Sequence, residues 1–190
     1  DKLNEAEAFL KNIAAKNGLV LFVGTRPAAK DMVKESAEAL GMPYVVERWI
    51  GGTLTNFKVI SKRLETLSGL EQKKAGGEFE KYTKKERMLF EKDIARLKHD
   101  FDGLRLLNRL PAALFVVNIP HDEIAVKEAV IMKIPVVALT DTNANPKTIA
   151  HPIPSNDDAT LVIRYMLARI VRAIEEGRAE ALAPKPEIAS

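Results

Sequence analysis

The sequence contains no cysteine among its 190 residues. Disulfides, thiolate nucleophiles and the common structural zinc sites are therefore excluded, and the composition fits a reducing compartment. No apolar run approaches the roughly 20 residues that a membrane helix needs, and no signal-peptide pattern opens the chain. We therefore expect a soluble intracellular protein with no membrane partner.

Catalytic and metal-binding signatures are also scarce. The three histidines lie in separate segments without the spacing of metal ligands, and no serine lies in a G-x-S-x-G motif. No G-x-x-x-x-G-K-[ST] phosphate loop occurs either. The sequence therefore predicts no catalytic residue, no metal site and no cofactor.

The composition is that of a folded protein with basic surfaces. A hydrophobic content of 46% in 190 residues suits one domain with a sizeable core and room for one insertion. The formal net charge is only +3, but 29% of the residues are charged, so acidic and basic residues can lie on different faces. A polyanion is the natural partner of a basic face.

Continuous apolar runs mark the strands. The first is Leu19–Val23, which is flanked by Gly18 and Gly24. Such a run predicts a strand buried on both faces, as in a parallel sheet covered by helices. Similar runs occupy Tyr44–Val46, Ala113–Val117, Pro135–Leu139 and, more weakly, Ile149–Ile153. Helical segments alternate with these runs, so the sequence predicts an α/β fold.

The connection from Val46 to Ala113 is much longer than the ~10–12 residues of a usual crossover. Within it, apolar residues recur at spacings of three and four along two segments: Phe57, Ile60, Leu64 and Leu67, then Phe90, Ile94, Leu97 and Phe101. The spacing predicts two amphipathic helices with narrow apolar stripes. We expect them to form an antiparallel, coiled-coil-like hairpin that packs mainly on itself.

These patterns divide the chain into three parts. Residues 1–56 and 108–178 are predicted to form the sheet domain, and residues 57–107 the inserted helical hairpin. Residues 179–190, which include two prolines, are expected to form a loose tail.

The segment RWIGGTLTNFK, residues 48–58, is the most informative motif of the chain. Arg48 and Lys58 place positive charge at its two ends. Gly51 and Gly52 allow backbone conformations that other residues resist, so this loop can approach a partner closely. The segment therefore predicts a contact with a polyanion.

Other residues of this loop have two interpretations. Trp49 either stacks on a base or anchors the loop in the core. Thr53 and Asn56 can donate hydrogen bonds to RNA. Alternatively, Thr55 or Asn56 caps the helix that begins near Phe57, and the glycine pair simply forms a turn.

Two loops after predicted strands are further candidates, because parallel sheets bind ligands at the carboxyl ends of their strands. Residues 24–26 precede a helix start, but the loop lacks the glycines of a nucleotide cradle, so a plain turn with Arg26 facing an RNA phosphate is favoured. Residues 141–143 follow a strand at a position suited to metal or phosphoryl chemistry. No second carboxylate cluster follows the first strand, so capping and turn formation are favoured for Asp141 and Asn143.

Basic residues are concentrated on the predicted hairpin: Lys62, Arg63, Lys73, Lys74, Lys81, Lys84, Lys85 and Arg87. Interspersed glutamates make a solvated helix face the simplest interpretation. Some of these side chains are still candidates for phosphate contacts, above all Lys62 and Arg63 beside the loop.

Five segments, in the same order, resemble the bacterial-type ribosomal protein S2 family. They are FVGTRPAA (Phe22–Ala29), ERWIGGTLTNFK (Glu47–Lys58), TKKE (Thr83–Glu86), LPAALFVVNIPHDEIAVKEAVIMKIPVVALTDTN (Leu110–Asn143) and IPSNDDA (Ile153–Ala159). The resemblance extends from about Leu19 to Gly177. Members usually begin with a segment containing motifs like HFGH and WNPKM, which this sequence does not contain, so we expect such a segment to be missing here.

The resemblance implies a flavodoxin-like parallel five-stranded sheet of order 2-1-3-4-5, with the hairpin inserted between the second and third strands. It also implies a structural, non-enzymatic constituent of the small ribosomal subunit that acts in translation in the cytoplasm. The expected partners are small-subunit rRNA, neighbouring small-subunit proteins and ribosomal protein S1 where it is present. The family's place is on the back of the subunit, between head and body.

The residues predicted to bind RNA are Arg26, Arg48, Trp49, Gly51, Gly52, Thr53, Asn56, Lys58, Lys62 and Arg63. Two other functions remain open from the residues alone. One is a flavodoxin-like nucleotide- or phosphate-binding protein that uses residues 24–26 with Asp141. The other is a protein-docking module built on the hairpin.

Overall fold

The apolar runs become the strands of one parallel sheet in the computed structural model, which describes residues 1–141 and 148–182. The strands are β1 (Val20–Val23), β2 (Tyr44–Val45), β3 (Ala113–Val116), β4 (Val136–Thr140) and β5 (His151–Pro154). The helices are α1 (Lys2–Ala15), α2 (Lys30–Leu40), α3 (Phe57–Ala75), α4 (Lys84–Phe101), α5 (Glu123–Ile131) and α6 (Thr160–Leu182), with short 3-10 turns at Glu78–Lys81 and Asp102–Leu104.

The sheet has the strand order β2-β1-β3-β4-β5, and all neighbouring strands are parallel. In the register, Phe22 of β1 lies opposite both Tyr44 and Phe115. The α/β prediction and the order implied by the resemblance are both confirmed. Because every strand runs the same way, the carboxyl ends of all five strands lie at one edge of the sheet.

The outermost strand β5 begins two residues later than its apolar run predicted. It contains Pro152 and Pro154, which cannot donate ladder hydrogen bonds. A strand with prolines is tolerated where one side needs no partner, and β5 pairs only with β4.

Alternate side chains of the strands enter two separate cores, one on each face of the sheet. Val20 and Phe22 pack with α1, α2 and α6 on one face. Leu21 and Val23 pack with α5 and with residues of the hairpin on the other face. Both faces of the central strands are therefore buried, as the continuous apolar runs predicted.

The inserted segment forms the predicted antiparallel helical hairpin. Near its tip, Lys74 of α3 pairs with Glu91 of α4 at 3.3 Å. Closer to the sheet, Glu71 of α3 accepts two hydrogen bonds from Arg105, at 2.8 and 2.9 Å. The tip is closed by the rings of Phe79 and Phe90, which stack with their centroids 5.0 Å apart.

The base of the hairpin belongs to the core of the sheet domain, which corrects the expectation that the hairpin packs mainly on itself. Ile60 of α3 and Phe101 of α4 are buried in the same cluster as Leu21 of β1. Leu104 and Leu107, which follow α4, extend this cluster toward the sheet. The apolar stripes predicted the helix pair but carried no information about this second contact.

Helix α6 continues to Leu182, so the predicted tail boundary at residue 179 falls inside the helix. Its last turns are held by α1 and α2, because Lys11 pairs with Glu180 at 2.7 Å and Arg178 donates to the carbonyl oxygen of Leu40. Residues 183–190 lie outside the described residues. Among the described helices, including the 23 residues of α6, none has both the length and the hydropathy to cross a membrane.

Gly103 tests how tightly the hairpin base is fitted to the sheet. A Cβ at this position would lie 2.2 Å from the carbonyl oxygen of Tyr44 in β2 and 2.6 Å from the Tyr44 ring. We expect Gly103→Ala to destabilise the protein by about 1–3 kcal/mol through overpacking, as measured by urea denaturation.

The control is Gly69→Ala in α3, where an added Cβ would meet no atom within 4 Å. This change should stabilise the helix by roughly 0.5–1 kcal/mol, since alanine is the better helix former. Equal unfolding midpoints for Gly103→Ala and wild type would contradict the close fit.

Candidate nucleic-acid interface

The loop between β2 and α3 is built from two tight turns. The Thr53 N–H donates to the carbonyl oxygen of Ile50 at 3.1 Å, and the Asn56 N–H donates to that of Gly52 at 2.7 Å. Gly52 has a φ of +94°, a conformation that side chains disfavour. The second glycine of the pair is therefore required by the backbone geometry of the loop.

One buried carboxylate of α5 organises this loop. Oε1 of Glu128 accepts hydrogen bonds from the Trp49 indole N–H at 3.1 Å and from the Gly52 N–H at 2.7 Å. Oε2 accepts from the Leu54 N–H at 3.0 Å and from both the N–H and the hydroxyl of Thr55 at 3.1 Å. Five donors from one loop thus converge on a side chain whose residue is 6% exposed.

The charge of Glu128 is stabilised by these donors. Burial alone would raise the pKa of the carboxyl, but the hydrogen bonds from Thr55, Gly52, Trp49 and Leu54 outweigh it, and the pKa lies below its ordinary value. The carboxylate is therefore ionised at neutral pH. An ionised acceptor makes each of these bonds stronger than a neutral one would.

Glu128 was missed by the sequence analysis, although the sequence carries a signal for it. The buried positions of α5 are Ala125, Val126, Glu128 and Ala129. A glutamate on the apolar stripe of a short helix must have partners, because an isolated buried carboxylate is too costly. The identity of those partners requires the fold, since they lie more than 70 residues away along the chain.

The contacts of Trp49, Gly52 and Thr53 favour the internal interpretation of these residues. Trp49 is only 7% exposed and its indole N–H donates to Glu128, so this geometry fits the packing anchor. The Gly52 N–H is already donated to Glu128. Thr53 is buried, and its hydroxyl donates to the carbonyl oxygen of Ile50 at 2.6 Å. These three groups serve the internal structure of the loop.

The other predicted positions of this region lie at the surface, either exposed or partly exposed: Arg48, Gly51, Asn56, Lys58, Lys62 and Arg63. Asn56 occupies the position before α3, but its side chain makes no capping hydrogen bond. Thr55 does not cap the helix either, because its hydroxyl is bound to Glu128. Lys58 and Lys62 are one helical turn apart, so they lie on the same side of α3.

Internal polar contacts link the loops at the carboxyl edge of the sheet. Arg26, which the sequence leaves free to meet an RNA phosphate, pairs with Asp158 in the structure. The Thr25 hydroxyl donates to Asp122 at 2.6 Å, and the amide of Asn118 donates to Asp157 at 2.8 Å. The loops after β1, β3 and β5 are thereby joined.

The same edge is poorly suited to phosphate. Burial raises the pKa of Asp122 and of Asp157, which shows that these carboxyls are costly to ionise there. A phosphate would add further negative charge beside them. Among the described residues, no group of histidine and acidic side chains could hold a metal ion. Of the candidate segment 141–143, only Asp141 lies within the described residues.

The protein has an α/β fold in which the hairpin shares the core of the sheet and Glu128 holds the loop before α3. Exposed basic side chains lie on this loop and on the first turns of α3. The sequence profile of the family described as Ribosomal protein S2 matches residues 1–177. The small ribosomal subunit protein uS2 of Mesoplasma florum is 45% identical over 183 residues, which cover 96% of this chain and 69% of that protein.

The uS2 proteins of two strains of Thermus thermophilus are each 43% identical over 189 residues. These alignments cover 100% of this chain and 74% of each relative. The chain therefore belongs to the ribosomal protein S2 family, which confirms the resemblance seen in the sequence.

Truncation of Trp49 tests the packing role of this side chain. We expect Trp49→Ala to destabilise the protein by about 3–5 kcal/mol in urea denaturation, because it removes a buried aromatic side chain and one donor to Glu128. Trp49→Phe is the control, since it keeps most of the apolar area and should cost clearly less. A Trp49→Ala protein that unfolds at the wild-type urea concentration would show that the indole is not an anchor.

The lowered pKa of Glu128 predicts a pH-dependent contribution to stability. Because the folded-state pKa lies below the ordinary value of 4.5, ionised Glu128 stabilises the fold above that pH. This contribution is lost as the pH falls through the folded-state pKa. The difference in unfolding free energy between wild type and Glu128→Gln should therefore be large at about pH 7 and shrink below about pH 4. A difference that is constant with pH would contradict this interpretation.

Proposed function

We propose that this protein is a structural constituent of the small ribosomal subunit in the cytoplasm and binds small-subunit rRNA through residues 48–63. Its membership of a ribosomal protein family supports the assignment to the subunit. The proposed contact is based on four basic residues that are exposed on the loop before α3 and on the first turns of that helix: Arg48, Lys58, Lys62 and Arg63.

Phosphate contacts need positive charge held in a defined position. The loop meets this requirement because several of its backbone N–H groups are already satisfied by Glu128, and little conformational freedom is left to lose on binding. Asn56 and the backbone at Gly51 lie exposed beside these charges. RNA would thus meet a preformed surface whose long side chains reach the phosphates.

The proposed role is one of binding without turnover. The carboxyl edge of the sheet, where an α/β enzyme would hold its ligand, carries Asp122, Asp157 and Asp158, and Arg26 beside them is paired. This arrangement supports a structural role over the nucleotide-binding alternative. Neighbouring small-subunit proteins, and S1 where it is present, are the further partners that the family implies.

The proposal is tested by removing charge from the two ends of the loop. We expect Arg48→Ala/Lys58→Ala to fold normally and to bind purified small-subunit rRNA more weakly. The plot of log K against log salt should flatten by roughly 0.7–0.9 for each phosphate that is no longer neutralised. Affinity is measured by filter binding over a range of salt concentrations.

A matched control removes the same charge elsewhere. Lys16, which follows α1, and Arg172 on α6 are exposed, and both helices pack on the opposite face of the sheet. Lys16→Ala/Arg172→Ala should therefore leave the salt slope unchanged. An Arg48→Ala/Lys58→Ala protein that is folded and keeps the wild-type slope would remove this loop from the RNA interface. Subunit association that survives RNase digestion would favour protein docking instead.

A further inference from the structure

We propose that Glu128 is a positioning residue for the RNA interface. Its carboxylate occupies the place that a phosphate could take among the N–H and O–H donors of the loop. In this way it holds Arg48 and Lys58 in their binding directions. The inference rests on the proposed function, because it assumes that these two side chains meet RNA. Glu128 itself is buried and would make no contact with the RNA.

The donor set around Glu128 is that of an anion site. Backbone N–H groups of Gly52, Leu54 and Thr55 point to one place, together with an indole N–H and a hydroxyl. Successive N–H groups in a turn before a helix commonly bind phosphate or other anions. In this protein the anion comes from its own helix α5. The loop therefore offers RNA its outer side chains, while its inner N–H groups are occupied.

The bonds to Glu128 lie between the two charges that they would position. Arg48 precedes the bonded Trp49 directly, and Lys58 follows the bonded Thr55 by three residues. Between them, Gly51 and Gly52 would give the chain wide freedom if the carboxylate were absent. Without these hydrogen bonds, the loop could adopt conformations in which Arg48 and Lys58 cannot contact the same stretch of RNA.

Removing the charge of Glu128 should have two opposite effects on the affinity for RNA, one through the net charge of the protein and one through the position of the loop. Glu128→Gln makes the protein more positive by one charge, so general electrostatic attraction would raise its affinity for RNA. A glutamine amide has nearly the same shape, but its NH₂ group would face N–H donors on one side of the pocket. If Glu128 positions the loop, the affinity falls in spite of the added positive charge.

The experiment is a double-mutant cycle on the full chain with purified small-subunit rRNA. Glu128→Gln is introduced into wild type and into Arg48→Ala/Lys58→Ala, and hydrogen exchange is followed at Gly52, Leu54 and Thr55. In the wild-type background we expect about a tenfold loss of affinity, as when the binding-competent loop falls to about a tenth of the population. In the variant lacking both charges, the same change should alter affinity less than about twofold.

Hydrogen exchange at the loop amides distinguishes a loss of loop positioning from a general loss of protein stability. The three loop amides should exchange faster in Glu128→Gln while amides of the central strands β1 and β3 stay protected. Glu128→Asp keeps the charge and shortens the side chain, so it should give a smaller loss of affinity with the same dependence on Arg48 and Lys58. It also replaces Glu128→Gln in the cycle if that variant does not fold.

The outcomes distinguish the two proposals. An equal loss of affinity in both backgrounds, or unchanged affinity and loop exchange in Glu128→Gln, overturns the positioning role alone. Wild-type affinity in Arg48→Ala/Lys58→Ala overturns the proposed RNA contact and the positioning role with it. A loss of affinity confined to the background that retains both charges, with faster exchange in the loop, supports both.

Discussion

The hydrogen bonds between the carboxylate of Glu128 and the loop before α3 fix how the helical hairpin is attached to the sheet domain. They join helix α5 of the sheet domain to a segment 76 residues away at Gly52. The loop leads directly into the hairpin, so the same contacts set where α3 leaves the sheet. A buried charge with five donors is specific, because removing it would leave those donors without partners.

The charged side chains near the sheet form two groups. In the loops after β1, β3 and β5, the carboxylates of Asp122 and Asp157 are buried and Arg26 is paired with Asp158. Exposed basic side chains lie on the loop and the first turns of α3. A net charge of +3 hides this division. The fold therefore separates a closed polar network from a surface open to a polyanion.

Much of the fold could be predicted from the sequence, whereas the site could be predicted only in outline. Continuous apolar runs indicated buried parallel strands, and spacings of three and four indicated the hairpin helices. The contact of Phe101 with the sheet core was beyond such patterns, because periodicity shows which face is apolar and not what covers it. For the same reason Trp49 and Thr53 entered the RNA-binding set, although their polar groups are satisfied inside the protein.

The most direct measurement is an electron cryo-microscopy map of this chain in an assembled small subunit. We expect rRNA phosphates at contact distance from Arg48 and Lys58, with the carboxylate of Glu128 still bound to the N–H groups of Gly52 and Leu54. A map in which the loop faces solvent or another protein, or in which an RNA phosphate has replaced the carboxylate of Glu128, would contradict this expectation.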